Sequence, residues 1–501
     1  MSRRWRSQLA EIYISLASKL VFLKGAGVNT LRHIKEQQDK DSQKAFLRTR
    51  PPEGTTIEYV YFRLFELFQI EDVDSLLRGL RKLFPNFNDS FFHGDDYGKF
   101  IQNATGITGG EWLNIGHICR ERRGRFWGDQ FRELKKLPSY VDYIHVELHK
   151  VLPSVFAITY DVHLEESATQ KLIELQKSRY TPEIQFRKII PYGRLGGGYS
   201  TNRAEYVMRR QIEKWKTDLI SQVEKCLEQF LIGDFLHDKS RKAQHLPAIE
   251  VYSFKGIPTT KTALRKWIQH SGAWLESLGF YLLQIDSYTN GKLIFVPKWQ
   301  HDTENNRPAY RIIVLWDSYI KSINREIYGN DDKFAVAYNT QENFLAPILP
   351  TLVIFEMLAR FQEKFENTRR KVLATIRPTN FYGAYLGRYI KLNDIVLYAS
   401  VLYDRISKDF QIEAKHISAH LKEVSDLTEI GHTRKKKYRK LDQELFGGVE
   451  FRINLLKEHV DFAMNWFSQY LALRNLSVIY FLALVAGGAA IVSLLLALGR
   501  P

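Results

Sequence analysis

Residues 141–164 read VDYIHVELHKVLPSVFAITYDVHL, and this stretch decides the fold class that the sequence predicts. Polar and apolar side chains alternate from Tyr143 to His149, which is the two-residue period of a strand with one polar face. A turn at Pro153-Ser154 then leads into a second apolar run. The stretch therefore predicts two strands joined by a tight turn.

The residues that follow mix further strands with helices. Strand-like runs recur at 184–190 and 249–254 and from Arg311, and a strong helical period covers residues 204–231. Asn290-Gly291 lies between two apolar runs, which favours a two-residue hairpin because both turn positions need positive φ. Hairpins combined with helices predict an α+β domain with a mainly antiparallel sheet over residues 138–345.

The regions on either side of this domain are predicted to be helical. Apolar residues in residues 1–137 recur at helical spacing, around Tyr59–Phe68 and Leu76–Leu83. Residues 346–475 carry three long helical patterns with short connections, which predict an antiparallel bundle or stalk.

The last long segment, residues 476–498, reads LSVIYFLALVAGGAAIVSLLLAL and contains no charged residue. As a helix it could reach roughly 34 Å, which is enough to cross a hydrocarbon core of about 30 Å. The sequence thus predicts one transmembrane helix near the C-terminus. Basic residues before it outnumber the single Arg500 after it, so the soluble bulk is expected on the cytoplasmic side of the membrane. This arrangement is a single-pass, tail-anchored topology.

Charge and cysteine content narrow the class of protein. The net charge is +16, and the two cysteines, Cys119 and Cys226, form no disulfide framework, which fits a reducing compartment. The basic residues favour an anionic membrane surface as a partner. A membrane-tethered nucleic-acid binder stays an alternative, although no nucleic-acid motif is present. The densest basic run consists of Arg434, Lys435, Lys436, Lys437, Arg439 and Lys440.

A glycine-rich stretch from Gly193 to Ser200 is a candidate anion site. Glycines let backbone amides approach a phosphate, and a strong helical pattern follows. The alternative is a plain connection in which Ser200 or Thr201 caps that helix. The residues predicted to bind an anion are Arg194, Gly196, Gly197, Gly198, Ser200 and Thr201. If they do, the chain is a membrane-bound enzyme acting on a phosphate-containing ligand.

The sequence supports other candidate binding or catalytic sites less strongly. His145 and His149 share a strand face with Glu147 but have no third ligand nearby in sequence, so a structural role is favoured. His117 and Cys119 beside Arg120 could form a thiolate site. Two acidic pairs, Asp95-Asp96 and Asp331-Asp332, supply too few oxygen ligands for a cation. The catalytic residues stay unknown, and neither a cofactor nor a metal is predicted.

The membrane segment also carries small residues at four-residue spacing. Ala483 with Gly487 and Ala486 with Ala490 would let two helices approach closely. We therefore expect a homo-oligomer through the stalk and this helix, besides a protein partner of the cytoplasmic region. The leading functional prediction is a membrane scaffold, adaptor or sensor that binds a ligand or partner.

Overall fold

The computed structural model describes most of the chain, with gaps. The described residues are 40, 48–85, 97–106, 112–121, 130–178, 180, 183–186, 199–202, 204–237, 245–280, 287–297, 309–323, 332–375, 383–430 and 439–498. Every structural statement below refers to these ranges.

The fold is α+β and is built on a large open sheet. The strands are β1 (Thr56–Gln69), β2 (Trp112–Cys119), β3 (Phe131–Glu133), β4 (Val141–Leu152), β5 (Val155–Leu164), β6 (Glu183–Phe186), β7 (Tyr199–Asn202), β8 (Ala248–Lys255), β9 (Tyr288–Thr289), β10 (Leu293–Val296), β11 (Ala309–Leu315) and β12 (Thr428–Glu429). Ten of them form one sheet in the order β12-β9-β10-β11-β8-β1-β5-β4-β2-β3, while β6 and β7 pair separately. The pairs β8–β11 and β2–β3 are parallel and the others are antiparallel. This confirms the predicted α+β class and the mainly antiparallel sheet.

Strand β1 lies near the centre of the sheet, between β5 and β8. The helical prediction for Tyr59–Phe68 was therefore wrong. Nearly all of β1 is buried, since both faces of the sheet are covered at this position. A strand buried on both faces carries apolar residues almost continuously, and such a run also satisfies helical spacing. The prediction at Leu76–Leu83 was correct, because a helix begins at Val73 and ends at Leu83.

The helices are α1 (Val73–Leu83), α2 (Tyr97–Gly106), α3 (Glu166–Lys177), α4 (Ala204–Leu227), α5 (Asp234–His237), α6 (Lys261–His270), α7 (Gly272–Ser277), α8 (Trp316–Tyr319), α9 (Asp332–Thr340), α10 (Ala346–Thr375), α11 (Gly383–Leu421) and α12 (Leu441–Leu498). Short 3₁₀ turns occupy Ile70–Asp72, Ile320–Ser322 and Lys422–Val424. A π-helical turn, Gln341–Leu345, joins α9 to α10 without a break.

Helices cover both faces of the sheet, and we name each face by its main helix. The α10 face carries Arg63 and Tyr310, and the Tyr310 hydroxyl donates to Glu356 of α10 at 2.8 Å. The α4 face carries Phe62 and Glu250, and Lys216 of α4 donates to Glu250 at 3.0 Å. Adjacent residues of β1 therefore point to different helical layers.

The hairpin at Asn290-Gly291 is present but longer than predicted. Strands β9 and β10 are antiparallel, and residues 290–292 connect them, one more than a two-residue turn. The Asn290 side-chain oxygen accepts the backbone N–H groups of Lys292 and Leu293, and Gly291 has a φ of 82°. The Asn290 side chain thus forms an Asx-type turn with Lys292, the third residue of the connection.

The three long C-terminal helices α10, α11 and α12 pack against one another, and α12 begins at Leu441 as predicted. Buried side chains recur along the start of α12 up to Val460. Beyond Val460, every side chain of α12 that is described is exposed. Whether this part acts as a stalk stays a prediction.

One stretch among the residues searched is long and apolar enough to span a membrane, namely Lys333–Asn367. It comprises α9, the π turn and most of α10, and 67% of its most apolar window is buried. A core helix of a soluble fold has the same properties, and the contacts of α10 with the sheet give this stretch that role. The predicted span at 476–498 lies within α12 and stays a prediction.

Candidate functional site

A buried polar cluster occupies the α10 face. Strand pairing places four polar residues side by side across four strands: Arg63 on β1 pairs with Asp161 on β5, Asp161 with His145 on β4, and His145 with His117 on β2. All four residues are buried. Charged and imidazole groups in the middle of a sheet need partners, because an unpaired buried polar group is costly.

Arg63 binds both carboxylates of the cluster. Its Nε and Nη2 atoms donate to the two oxygens of Asp161 at 2.5 and 2.6 Å, and Nη2 also lies 3.4 Å from Glu147 Oε2. The fork-shaped guanidinium thus engages Asp161 in the bidentate geometry that is strongest for such pairs.

Glu147 lies next to His145 on the same face of β4 and has several further partners. His149 Nε2 is 3.1 Å from its Oε2, and the Thr159 hydroxyl donates to the same oxygen at 3.4 Å. The other oxygen, Oε1, accepts the Gln341 amide at 2.9 Å.

His145 has one ring nitrogen on each side of the cluster. Its Nδ1 accepts the Gln341 amide at 3.1 Å, so the ring hydrogen belongs on Nε2, which lies 3.2 Å from Asn114 Oδ1. The ring also stacks on His117, with centroids 4.7 Å apart. The lone pair of Nδ1 therefore points at the Gln341 amide, and Nδ1 lies 3.9 Å from Glu147 Oε1 and 4.0 Å from Asp161 Oδ2.

Gln341 reaches the cluster from the first residue of the π turn. Pro347 and Pro350 lie just beyond this turn and have no N–H, so they cannot supply the normal helical hydrogen bonds to the residues four positions earlier. A π-helical turn is one way for a helix to absorb such a defect, and these turns are frequent at functional sites.

Burial and charge shift the pKa values in the cluster in different directions. Burial opposes the ionisation of Glu147, but His145, His149 and Arg63 outweigh it and hold its pKa below the usual range. Burial, assisted by His145, lowers the pKa of His117 to about 3. Burial and the charge of Asp161 raise the pKa of Tyr61. At neutral pH Glu147 is therefore a carboxylate, while His117 and Tyr61 are uncharged.

A second row of side chains on the α10 face lies between this cluster and a cavity. Tyr61, His163 and Tyr143 are neighbours on β1, β5 and β4, and the rings of Tyr143 and His163 stack with centroids 4.2 Å apart. Tyr143, His163 and Lys333 of α9 line a cavity of about 250 Å³. The cavity is therefore separated from the ionic cluster by one row of aromatic rings.

A different ionic cluster lies on the α4 face. Arg311 Nε lies 3.1 Å from Glu250 Oε2, and its Nη2 lies 3.2 Å from Glu213 Oε1. Lys216 lies 2.8 Å from Glu213 and 3.0 Å from Glu250. Two cations thus face two carboxylates, and Lys216 and Arg311 lower the pKa of Glu250 against the opposing effect of burial. This α4-face cluster is fully paired and is a structural network.

The residues predicted to bind an anion lie mostly outside the described ranges, including Arg194, Gly196, Gly197 and Gly198. Ser200 and Thr201 are in β7, where they pair with Gln185 and Ile184 of β6. The expectation that one of them caps the following helix was wrong, because α4 begins at Ala204.

Only some of the other predicted residues lie within the described ranges. Arg434, Lys435, Lys436 and Lys437 fall outside the description, as do Asp95, Asp96 and Asp331. Arg439 lies 3.6 Å from Glu444, and the backbone of Lys440 forms an isolated antiparallel β-bridge with Thr428. Ala483, Ala486 and Gly487 are exposed on α12, whereas the side chain of Ala490 is not described.

The proposed thiolate arrangement gains no support from the position of Arg120. Cys119 and His117 are both on β2, but the Arg120 guanidinium donates to three backbone oxygens, those of Pro138, Ser139 and Val141, and to Glu165. Its hydrogen bonds therefore hold the loop before β4.

Comparison with known proteins adds no functional information, since no protein-family model, curated protein or solved structure matches this chain. Sequence reasoning had singled out His145, Glu147 and His149 but missed Arg63, Asp161 and Gln341. For Arg63 a signal existed, namely a charged residue inside the apolar run YVYFRLFELF. The chain segments that carry Asp161 and Gln341 can be brought to Glu147 only by the tertiary fold.

Proposed function

We propose that the chain is a single-pass, tail-anchored membrane protein that holds its α+β body at the cytoplasmic surface of a membrane. There the body acts as a scaffold, adaptor or sensor that binds a partner or ligand. The observation that carries this proposal is the exposure of large apolar side chains on the last part of α12. Ile479, Leu482, Leu484 and Val485 are each more than half exposed.

Exposed leucine, isoleucine and valine side chains on consecutive turns are unfavourable in water. Apolar surface gains about 25 cal/mol per Å² on leaving water, so a bilayer around residues 476–498 would stabilise the exposed helix strongly. A helix also satisfies its own backbone hydrogen bonds, as a lipid environment requires. The uncharged sequence and the helical conformation of this segment support the same location.

The first part of α12 supports a role as connector between the body and the bilayer. Leu441, Val449, Ile453, Leu456 and Val460 are buried, and α12 packs on α10 and α11. A helix that is rooted in the body at one end and lipid-covered at the other holds a bound partner at a set distance from the membrane. Exposed Ala483, Ala486 and Gly487 offer a close-packing surface for a second copy in the bilayer.

Membrane fractionation tests the anchor. We expect the full chain to stay with membranes in high-salt and alkaline washes, whereas a chain ending at Tyr470 becomes soluble. In the double variant Leu484→Arg and Val485→Arg, each charge near the middle of the span adds about 2.5–3.5 kcal/mol to the insertion free energy, so this protein should also leave the membrane.

Leu484→Val with Val485→Leu is the matched control, since it keeps the apolar surface and should behave as the natural sequence. Release of the full chain by the washes would overturn the proposal. So would retention of the double-arginine variant in the alkaline wash.

A further inference from the structure

Three buried side chains of the α10-face cluster direct donor atoms at one point. His145 Nδ1 lies 3.9 Å from Glu147 Oε1 and 4.0 Å from Asp161 Oδ2, and one atom of each group lies within 4.8 Å of the others. An ion equidistant from three such atoms would lie roughly 2.3–2.5 Å from each, a few tenths of an ångström beyond zinc–nitrogen and zinc–oxygen bonds of about 2.0–2.2 Å. Small side-chain shifts would therefore complete the coordination.

Each of these three groups also has the outer hydrogen-bond partner that metal ligands normally require. The Nε2–H group of His145 donates to Asn114 Oδ1, Glu147 is held by His149 and Thr159, and Asp161 is held by Arg63. Such partners fix the ring orientation and tautomer of a ligating histidine and the rotamers of ligating carboxylates.

The charge of the cluster also favours a bound cation. One guanidinium, Arg63, faces two carboxylates, Glu147 and Asp161, so these three side chains together have a formal charge of −1 in a buried environment. A divalent ion would change this sum to +1, and a hydroxide or another anion in a free coordination position would bring it to zero. A buried net charge is costly, so this neutralisation would stabilise the loaded cluster.

Gln341 already behaves as a weak substitute for a cation. Its amide nitrogen lies between His145 Nδ1 and Glu147 Oε1 and donates hydrogens to both. An ion at this position would displace the amide, and a rotation of the Gln341 side chain would turn its oxygen, a potential ligand, towards the ion.

The helix that carries Gln341 also borders the cavity. The π turn continues from α9, and α9 lines the cavity through Lys333, Phe334 and Ala337.

We infer that His145, Glu147 and Asp161 form a binding site for one divalent transition-metal ion that accepts nitrogen and oxygen ligands, such as Zn²⁺ or Mn²⁺. One imidazole with two carboxylates favours these ions over Ca²⁺ and Mg²⁺, which prefer oxygen alone. Three protein ligands leave at least one coordination position for water or an anion, as in catalytic zinc sites.

The test uses the full chain in detergent, stripped with a chelator and titrated with Zn²⁺, Mn²⁺ and Co²⁺ alone. We expect one ion per chain, a rise in melting temperature on loading, and visible Co²⁺ absorption of a nitrogen–oxygen site. His145→Gln and Glu147→Gln should abolish all three effects. Asn114→Leu should weaken binding by about 10–100-fold, because it removes only the outer partner of His145.

His245→Gln is the control variant, since His245 also lies beside a carboxylate, Glu224, at 2.8 Å but outside this cluster. It should bind the ion as the natural chain does. Failure of the natural chain to bind any of the three ions more tightly than about 1 mM overturns the inference. Binding of unchanged affinity in both His145→Gln and Asn114→Leu overturns it as well. If His145→Gln and Glu147→Gln do not fold, the Co²⁺ affinity of Asn114→Leu decides, since an affinity equal to that of the natural chain overturns the inference.

Discussion

The two faces of the sheet each bury an ionic cluster, but the clusters have different compositions. On the α4 face, Lys216 and Arg311 neutralise Glu213 and Glu250, and no histidine takes part. On the α10 face, a single cation, Arg63, faces two carboxylates amid several imidazoles.

This difference distinguishes a buried ion network with a structural role from one that could bind a ligand. A buried ion network that is balanced and fully paired holds elements together and has no need for a further partner. A network with fewer cations than carboxylates and with imidazole lone pairs directed inward has capacity for a ligand. Burial alone does not distinguish the two clusters, whereas the charge sum and the donor types do.

Removal of the arginine from each cluster should produce the largest effect. Arg311→Met leaves Lys216 beside the two glutamates and should lower the free energy of unfolding by about 3 kcal/mol, whereas Arg63→Met leaves Asp161 and Glu147 without a cation and should cost about 5 kcal/mol. Chemical denaturation of the full chain in detergent, with and without Zn²⁺, measures both values. Zn²⁺ should stabilise Arg311→Met only as much as it stabilises the natural chain, and should stabilise Arg63→Met more, because there it also replaces the missing cation. Equal responses of the two variants to Zn²⁺ would remove the distinction between the faces.

The pH dependence of stability should have opposite signs at two buried glutamates. Burial raises the pKa of Glu66 to about 7, against the opposing hydrogen bonds from the backbone of Leu67 and Phe235, whereas Lys216 and Arg311 lower the pKa of Glu250 despite its burial. The folded chain therefore holds the Glu66 proton more tightly than the unfolded chain, and stability from this group is lost as pH rises from about 4.5 through 7. Glu250 contributes stability above its unfolded pKa and loses it as pH falls below that value.

Comparison of unfolding free energies at pH 5 and pH 8 tests this assignment. Glu66→Gln should remove a loss of about 2 kcal/mol between these two pH values, because the variant has no proton to release. Glu250→Gln provides the contrast, since it should leave this interval nearly unchanged and reduce the loss of stability in stronger acid. An unaltered slope in Glu66→Gln would show that the carboxyl is ionised throughout.

A glycine next to the α4-face cluster gives the smallest of these effects. Gly279 has a φ of +87°, and an added Cβ would lie 2.5 Å from Glu213 Oε1 and 3.1 Å from Arg311 Nη2. Gly279→Ala should therefore cost about 2 kcal/mol, through the strained backbone and displacement of the ion pair. Gly54→Ala is matched in backbone conformation, with a φ of +74° and open space around the Cβ position, and should cost about 1 kcal/mol. Equal losses in the two variants would indicate that the Glu213–Arg311 ion pair can be displaced without a loss of stability.

Local sequence patterns predicted the elements that have a regular polar–apolar period or that follow a clear turn signal. Strand β4 alternates polar and apolar residues, and its hairpin partner β5 was predicted over the same residues that the structure assigns, Val155–Leu164. Helix α4 and the start of α12 also have clear periods. Strand β1 was missed because its nearly continuous apolar run has no two-residue alternation and also satisfies helical spacing.

The candidate metal site could be predicted only in part, for a related reason. His145 and Glu147 are neighbours on one strand face, so sequence alone places them together. Asp161 joins them through the register of β4 with β5, and Gln341 arrives 194 residues after Glu147. Neither register nor such a long-range approach is encoded in a local pattern. The lack of a third ligand nearby in sequence was thus no indication of how many ligands the fold assembles.

The position of β1 also sets the order of events while the chain is being made. The first described strand must wait for both of its neighbours, β5 at Val155–Leu164 and β8 at Ala248–Lys255. At synthesis rates of about 5–20 residues per second, the roughly 180 residues between β1 and β8 emerge over roughly 10–40 s. During this interval a long apolar strand has an unpaired edge, which is a template for association with other chains. The nascent chain therefore carries this unpaired strand edge until about half of its length has emerged.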